Sequence, residues 1–213
     1  MQTINAYSKI RRTAFTTETG KVTETDIFIN PITNKNSEIF ELLKVFMKDE
    51  AFLEVSSYSD NALGKSLSAF RIPYRGSCLE CIFQAAKVFE KGGPYEDWTY
   101  MKPLEVKKDP RKFNSGKVIK YILDGEIWPT VPKTAFYDYI YIEAAKQILT
   151  KENLQEILKY RYFTDVALDP EVSTNCQARS MALIQLMVKK YGEILNFSSK
   201  ESFIEFHKQY VKY

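Results

Sequence analysis

The chain has one histidine in 213 residues, and that scarcity removes the commonest routes to nucleophilic catalysis. A Ser-His-Asp or Cys-His site would have to use His207, near the C-terminus, so acid-base chemistry falls instead to carboxylates, lysines or tyrosines. Cysteine is also sparse: three residues, an odd number, argue against a disulfide framework and for thiols kept reduced. Charge of one sign is missing, since 30 basic residues face 27 acidic ones for a net +3. That is far below what a protein coating nucleic acid through its phosphates carries, so any such contact is local. No run of about 18 uncharged apolar residues occurs. The first residues, Met1 to Ser8, contain no apolar segment of the kind a secretory leader needs. Both absences predict a cytoplasmic protein without membrane contact.

What is present is the composition of a folded domain: 45% hydrophobic and 27% charged residues, in a length that suits one core rather than two. Residues 1–35 alternate polar and apolar positions with β-branched enrichment, reading as one or two strands closed by a turn before Pro31. Asn36 and Ser37 offer an N-cap to a helix over about 37–49. Phe52 to Val55 and Leu67 to Ile72 read as paired strands around an Asp60-Asn61 turn. From Leu79 the period becomes helical and runs past Phe89 to the Gly92-Gly93-Pro94 break. Further amphipathic stretches fall at about 103–122, 133–149, 151–160, 177–192 and 199–211. The fold class expected is α+β, a helix-dominated single domain with a small antiparallel β element in the N-terminal third. Residues 1–50 are read as an N-terminal strand and helix extension packed on a catalytic domain over 51–213.

Two motifs fail on their context. Gly64-Lys65-Ser66 matches the end of a phosphate-binding loop, but the first glycine of that motif would fall at Ser59, and the residues after Ser66 read as a strand rather than a helix. Cys78 and Cys81 form a lone C-x-x-C. A zinc set would have to recruit Cys176 and His207, and no βαβ context supports a redox role, so packing thiols are the default.

Other residues carry more. Glu80, Gln84 and Lys87 fall at i, i+4 and i+7, stacking on one helix face while Phe83 and Phe89 lie away from it. The face is either solvated or a carboxylate, an amide and an ammonium converging on a polar ligand. Lys102, Lys107, Lys108, Arg111, Lys112, Lys117 and Lys120 crowd one stretch, as a solvated face or a phosphate-contacting patch. Phe136 to Tyr141 reads as aromatic core or wall. Asn175, Gln177 and Arg179 cluster in the first turn of a helix, which suits ordinary capping or an anion such as a pyrophosphate.

Taken together and in this order, several segments resemble the NADAR superfamily, the YbiA-like proteins, and within it the antitoxins associated with DarT-type guanine ADP-ribosyltransferases. They are Leu53 to Ser57 with Leu63-Gly64 and Leu67 to Phe70; Glu80 to Glu90 with Gly92 to Tyr95; Trp128-Pro129 with Pro132 to Asp138; and Phe163 to Asp165 leading to Asn175 to Ser180. The resemblance covers roughly residues 50–185. The Glu-x-x-Phe-Gln-x-x-Lys helix is shared across the superfamily, whereas the Trp-Pro and Asn-Cys-Gln-Ala-Arg-Ser segments resemble the antitoxin branch. The resemblance implies a lysine between two serines where this chain reads Ser57-Tyr58-Ser59; if a lysine there has a catalytic role, Lys65 or Lys87 has to supply it.

The resemblance implies an enzyme that removes ADP-ribose from modified guanine by breaking the N-glycosidic bond, acting as an antitoxin or counter-defence protein. The alternatives are an N-glycosidase on a ribosylated metabolite of the riboflavin-pathway type and a non-enzymatic ADP-ribose-binding module. The substrate expected is ADP-ribosylated single-stranded nucleic acid or a nucleoside, with ADP-ribose as product, a cognate toxin as a further partner, and neither metal nor cofactor. Glu80 and Asp165 are the carboxylate pair. Lys87 polarises the ribose hydroxyls or, if burial lowers its pKa, attacks a ring-opened sugar aldehyde. Arg179 and Arg111 are assigned to the pyrophosphate, Asn175, Gln177 and Gln84 to ribose hydroxyls, Trp128 or Tyr137 to a base, and Phe83 to the substrate wall.

Overall fold

The computed structural model describes residues 9–33, 35–168 and 176–212. Its first elements are a hairpin of β1 (Ile10–Thr16) and β2 (Thr23–Ile29), followed by α1 (Asn36–Phe46), which buries Ile39, Phe40 and Leu43. β3 (Phe52–Glu54) runs parallel to β9 (Tyr162–Thr164), and β9 pairs antiparallel with β1. The resulting four-stranded sheet has the order β2-β1-β9-β3, so the N-terminal hairpin is continuous with the sheet that carries the rest of the chain.

The helices that cover this sheet come late in sequence. α6 (Ala135–Lys146) and α8 (Gln177–Tyr191) are buried along most of their length. α7 (Lys151–Ile157) packs on α8 and α9 (Lys200–Tyr210) on α6. The α+β class therefore holds. Among the described residues no helix is long and apolar enough to cross a membrane.

Three stretches differ from expectation. Leu67 to Ile72 is not a strand. The Asn61 side chain accepts the Gly64 N–H at 3.1 Å and caps a short helix, α2 (Ala62–Ser66). The chain then turns tightly, with the N–H groups of Arg71 and Ile72 both reaching the Ser68 carbonyl at 2.8 Å. The turn residues thus begin a helix instead of closing a hairpin. Gly64-Lys65-Ser66 ends that helix rather than opening one, so the phosphate-loop geometry fails for a different reason from the strand expected there. After the two-residue strands β4 (Pro73–Tyr74) and β5 (Ser77–Cys78), α3 (Leu79–Ala85) stops short of Phe89, and Lys87–Phe89 forms strand β6. Gly93 explains the stop: at φ +80° it lies so close to the Lys87 carbonyl that a Cβ would sit 2.5 Å from that oxygen, and only glycine brings the chain back that tightly.

The helix expected over 103–122 is three elements. α4 (Pro103–Lys108) ends before Pro110, α5 (Arg111–Asn114) is one turn, and Gly116 at φ +81° leads into strand β7 (Val118–Leu123). Pro110 cannot continue a helix, and the Val, Ile and Tyr content of 118–122 favours extended pairing. β7 pairs with β6 and with β8 (Glu126–Trp128) in a second, antiparallel sheet, order β6-β7-β8.

Candidate active site

The first turn of α3 is tied to the segment before it by the Glu80 N–H, which donates to the Ala69 carbonyl at 3.0 Å. The Ala69 N–H in turn donates to Gln177 Oε1 at 2.6 Å, and the Gln177 amide group donates to Asp165. One peptide segment thus links Glu80 on α3, Gln177 at the head of α8 and Asp165 just past β9. The sequence separates these residues by nearly a hundred positions, and the turn at 68–70 brings them together.

Glu80 is buried, and its Oε1 accepts the Gln84 amide at 3.0 Å. Gln84 Oε1 accepts from Lys87 Nζ at 2.8 Å, and that ammonium stands 4.4 Å from the centroid of the Phe83 ring. The carboxylate, amide and ammonium therefore converge even though Lys87 lies on β6 and not on the helix. Phe83 does not point away: it forms the floor of the group, edge-on to Tyr137 at 4.9 Å. Burial is the main force on Lys87, pulling its pKa down to about 8, with Glu80 opposing and Lys112 and Lys107 adding to the drop. A lysine in that position exchanges its proton near neutrality.

Asp165, just past β9, is buried as well. Burial and the charge of Glu54 push its carboxyl up to about 7, against hydrogen bonds from the Ala167 N–H at 3.0 Å and the Gln177 amide. Tyr137 is buried, and burial with the charges of Glu80 and Asp165 holds its hydroxyl protonated well above the usual phenol range. The Cys176 thiol lies 3.9 Å from Asp165 and is also kept neutral by burial.

From the basic stretch, Lys107 and Lys112 reach this group. Both act on Lys87, Lys107 also acts on Asp165, and Lys107 Nζ sits over the half-buried Phe70 ring at 4.4 Å. Phe70 and the two lysines were unspecified in the sequence reading, where seven basic residues looked alike. Lys107 is exposed and Lys112 half-buried, and it is the fold around α4 and α5 that brings their charges to bear on Lys87.

Arg111 has a different place. It forms a bidentate pair with Asp97, contacts Asp109 at 2.8 Å, and stacks on Tyr95 and Trp98 at 4.8 and 5.3 Å. Its donors hold the 95–111 segment together. Trp128 is 1% exposed, packed among Phe136, Tyr139 and Phe203 with its Nε1 donating to Glu126. These neighbours cover its ring. Arg179 is buried against Asp138 at 3.4 Å, beside His207 and Ser180, in the core between α6, α8 and α9. Asn175 lies outside the described residues.

Ser180, Asp138 and His207 have the composition of a catalytic triad but not its order. Asp138 sits in the middle, accepting from Ser180 Oγ at 2.5 Å and contacting His207 Nε2 at 2.8 Å, and it is fully buried. In a triad the histidine would bridge serine and aspartate. The zinc set is likewise not assembled. Cys78 and Cys81 lie 3.4 Å apart, while Cys176 is at Asp165 and His207 at Asp138. Among the described residues no group of three or more His, Cys, Asp or Glu side chains is placed to hold a metal ion.

No curated protein matches the sequence. The model of the DarT1-associated NADAR antitoxin matches residues 30–213, and the chain belongs to that family of antitoxins.

Proposed function

We propose that this antitoxin is an N-glycosidic-bond hydrolase that removes ADP-ribose from guanine in single-stranded nucleic acid and so reverses the modification made by its cognate DarT1-type toxin. The observation that carries this reading is that the charges of Glu80 and Asp165 both act on the buried Tyr137, one carboxylate joined to Gln84 and Lys87 and the other pushed up to about 7. Acid-base cleavage at an anomeric carbon uses two carboxyl groups, one of which holds a proton near neutrality, and Asp165 has that property.

In this reading Glu80 activates the water that adds to the anomeric carbon, and Asp165 protonates the departing guanine nitrogen. Lys87 acts as a charge on the ribose hydroxyls, with Gln84 fixing its position. Lys107 and Lys112 take the place of Arg111 as the electropositive pair for the pyrophosphate, and Phe83 and Tyr137 form the wall. Gln177 holds Asp165 and the turn at Ala69.

The test is incubation with guanine-ADP-ribosylated single-stranded oligonucleotide, with a thymine-modified oligonucleotide in parallel, reading free ADP-ribose by mass spectrometry. Release from guanine alone is expected, reduced about 100-fold or more in Glu80→Gln. Hydrolysis unchanged by Glu80→Gln would remove that residue from the chemistry. ADP-ribose bound without release from either substrate would make the protein a binding module.

A further inference from the structure

A third buried carboxylate, Glu54 on β3, acts on Asp165 and has no role in the cleavage as described. It is 2% exposed. β3 and β9 run parallel with Glu54 opposite Thr164, and this register puts the Glu54 side chain against the residues flanking Asp165. Its Oε2 accepts the Thr164 hydroxyl at 2.6 Å and its Oε1 accepts the Val166 N–H at 3.0 Å. One carboxylate therefore grips both neighbours of Asp165, and the Ser56 hydroxyl supplies a further donor.

The charge of Glu54 acts on Asp165, and burial raises the pKa of both carboxyls, which favours one proton on the pair. The donor count decides its location. Glu54 has two hydroxyls and an amide, whereas Asp165 has the Ala167 N–H, the Gln177 amide and only a weak thiol donor at 3.9 Å. The better-solvated carboxylate keeps the charge.

We infer that Glu54 is a positioning residue that holds the proton on Asp165, so that Asp165 enters the cleavage as the acid. The inference rests on the hydrolase reading above. In the step it serves, the glycosidic C–N bond breaks with its electron pair going to the guanine nitrogen, which takes the Asp165 proton. Water adds its oxygen to the anomeric carbon and gives a proton to Glu80, and exchange with solvent restores both groups. The other groups facing Asp165 are Tyr137 and Tyr141 from α6, Cys176 at the head of α8 and Lys107 from α4. Burial keeps the tyrosines and the thiol neutral, leaving Glu54 and Lys107 as the charges, and they act in opposite directions.

The experiment is a titration of the Asp165 carboxyl by carbon NMR in ligand-free protein carrying labelled aspartate, assigned with Asp165→Asn, alongside the pH profile of kcat/KM. Wild type should titrate at about 7. In Glu54→Gln the midpoint should move to lower pH by about one unit or more, and the alkaline limb of the profile should move with it. Thr164→Val, nearly the same shape, removes one donor from Glu54 and should shift both readouts the same way if Glu54→Gln does not fold. A wild-type Asp165 that titrates as an ordinary surface carboxylate, or a midpoint unmoved in a folded variant, would overturn the assignment. Because the titration needs no substrate, a shift without any hydrolysis would sink the hydrolase reading and leave the proton placement standing.

Discussion

In the proposed hydrolase, function and stability pull against each other at Lys87. Burial lowers its pKa from 10.5 to about 8, so between those values the unfolded chain binds a proton that the folded chain has released. Stability should therefore rise as pH increases from about 8 towards 10.5, by roughly 1–3 kcal/mol in all, and chemical denaturation at a series of pH values reads this directly. By the same argument, Lys87→Met should raise the melting temperature at neutral pH while lowering hydrolysis at least about 100-fold. Activity has the opposite sign to stability. If the charged ammonium is the working form, kcat falls above pH about 8; a rise through that value would instead mark the free amine as nucleophile. At this scale the sequence supplied the residue types and the first contacts. Glu80, Gln84 and Lys87 were legible from local spacing, whereas Glu54 was not, because a glutamate in a short apolar run looks the same whether its partners are water or Thr164 and Val166.

Short elements hold the site, and a glycine permits the closest approach among them. A Cβ at Gly64 on α2 would stand 2.1 Å from the Glu54 carbonyl oxygen and 2.7 Å from Ser59 Oγ, so α2 lies directly on β3. Gly64→Ala should cost about 2 kcal/mol or more and disturb Asp165 through Glu54, visible as a lower melting temperature together with reduced kcat. Several of these elements were misread from sequence for an identifiable reason. Over three to six residues a helical turn and a strand carry similar apolar patterns, and only the pairing partner decides. Lys87–Phe89 is a strand because β7 is beside it, and β7 is a strand because Pro110 and Gly116 had already ended the helices before it. The long helices α6, α8 and α9 were legible because ten or more residues of one period outweigh such local ambiguity.

Across the whole molecule the buried Asp138 ties three helices together, α6 to α8 through Ser180 and Arg179 and α6 to α9 through His207. Burial alone would raise its pKa. The Arg179 charge, with the His207 and Ser180 hydrogen bonds, overcomes that and brings it from 3.8 down to about 2. A carboxylate with a depressed folded pKa stabilises the fold above its unfolded value, and that contribution is lost as pH falls from 3.8 through about 2. Asp138→Ala should cost about 3–5 kcal/mol by stranding the partners of a buried charge. Denaturant unfolding should show that loss, together with a flattened stability profile between pH 4 and pH 2, before any change in the chemistry appears.

By itself the sequence determined the class of fold, the long helices, the Glu80-Gln84-Lys87 motif and the antitoxin family. Each of these depends on composition, or on spacing within a segment, which local physics reads without knowing what lies across the fold. The tertiary structure alone decided which of seven basic residues act on Lys87 and what Arg111 and Trp128 pack against instead. It also decided that Glu54 acts on Asp165. Those facts depend on burial and on charges brought together from β3, α3, α4, α6 and α8. Desolvation and Coulomb energy are set by distance in space, and distance along the chain does not carry that information.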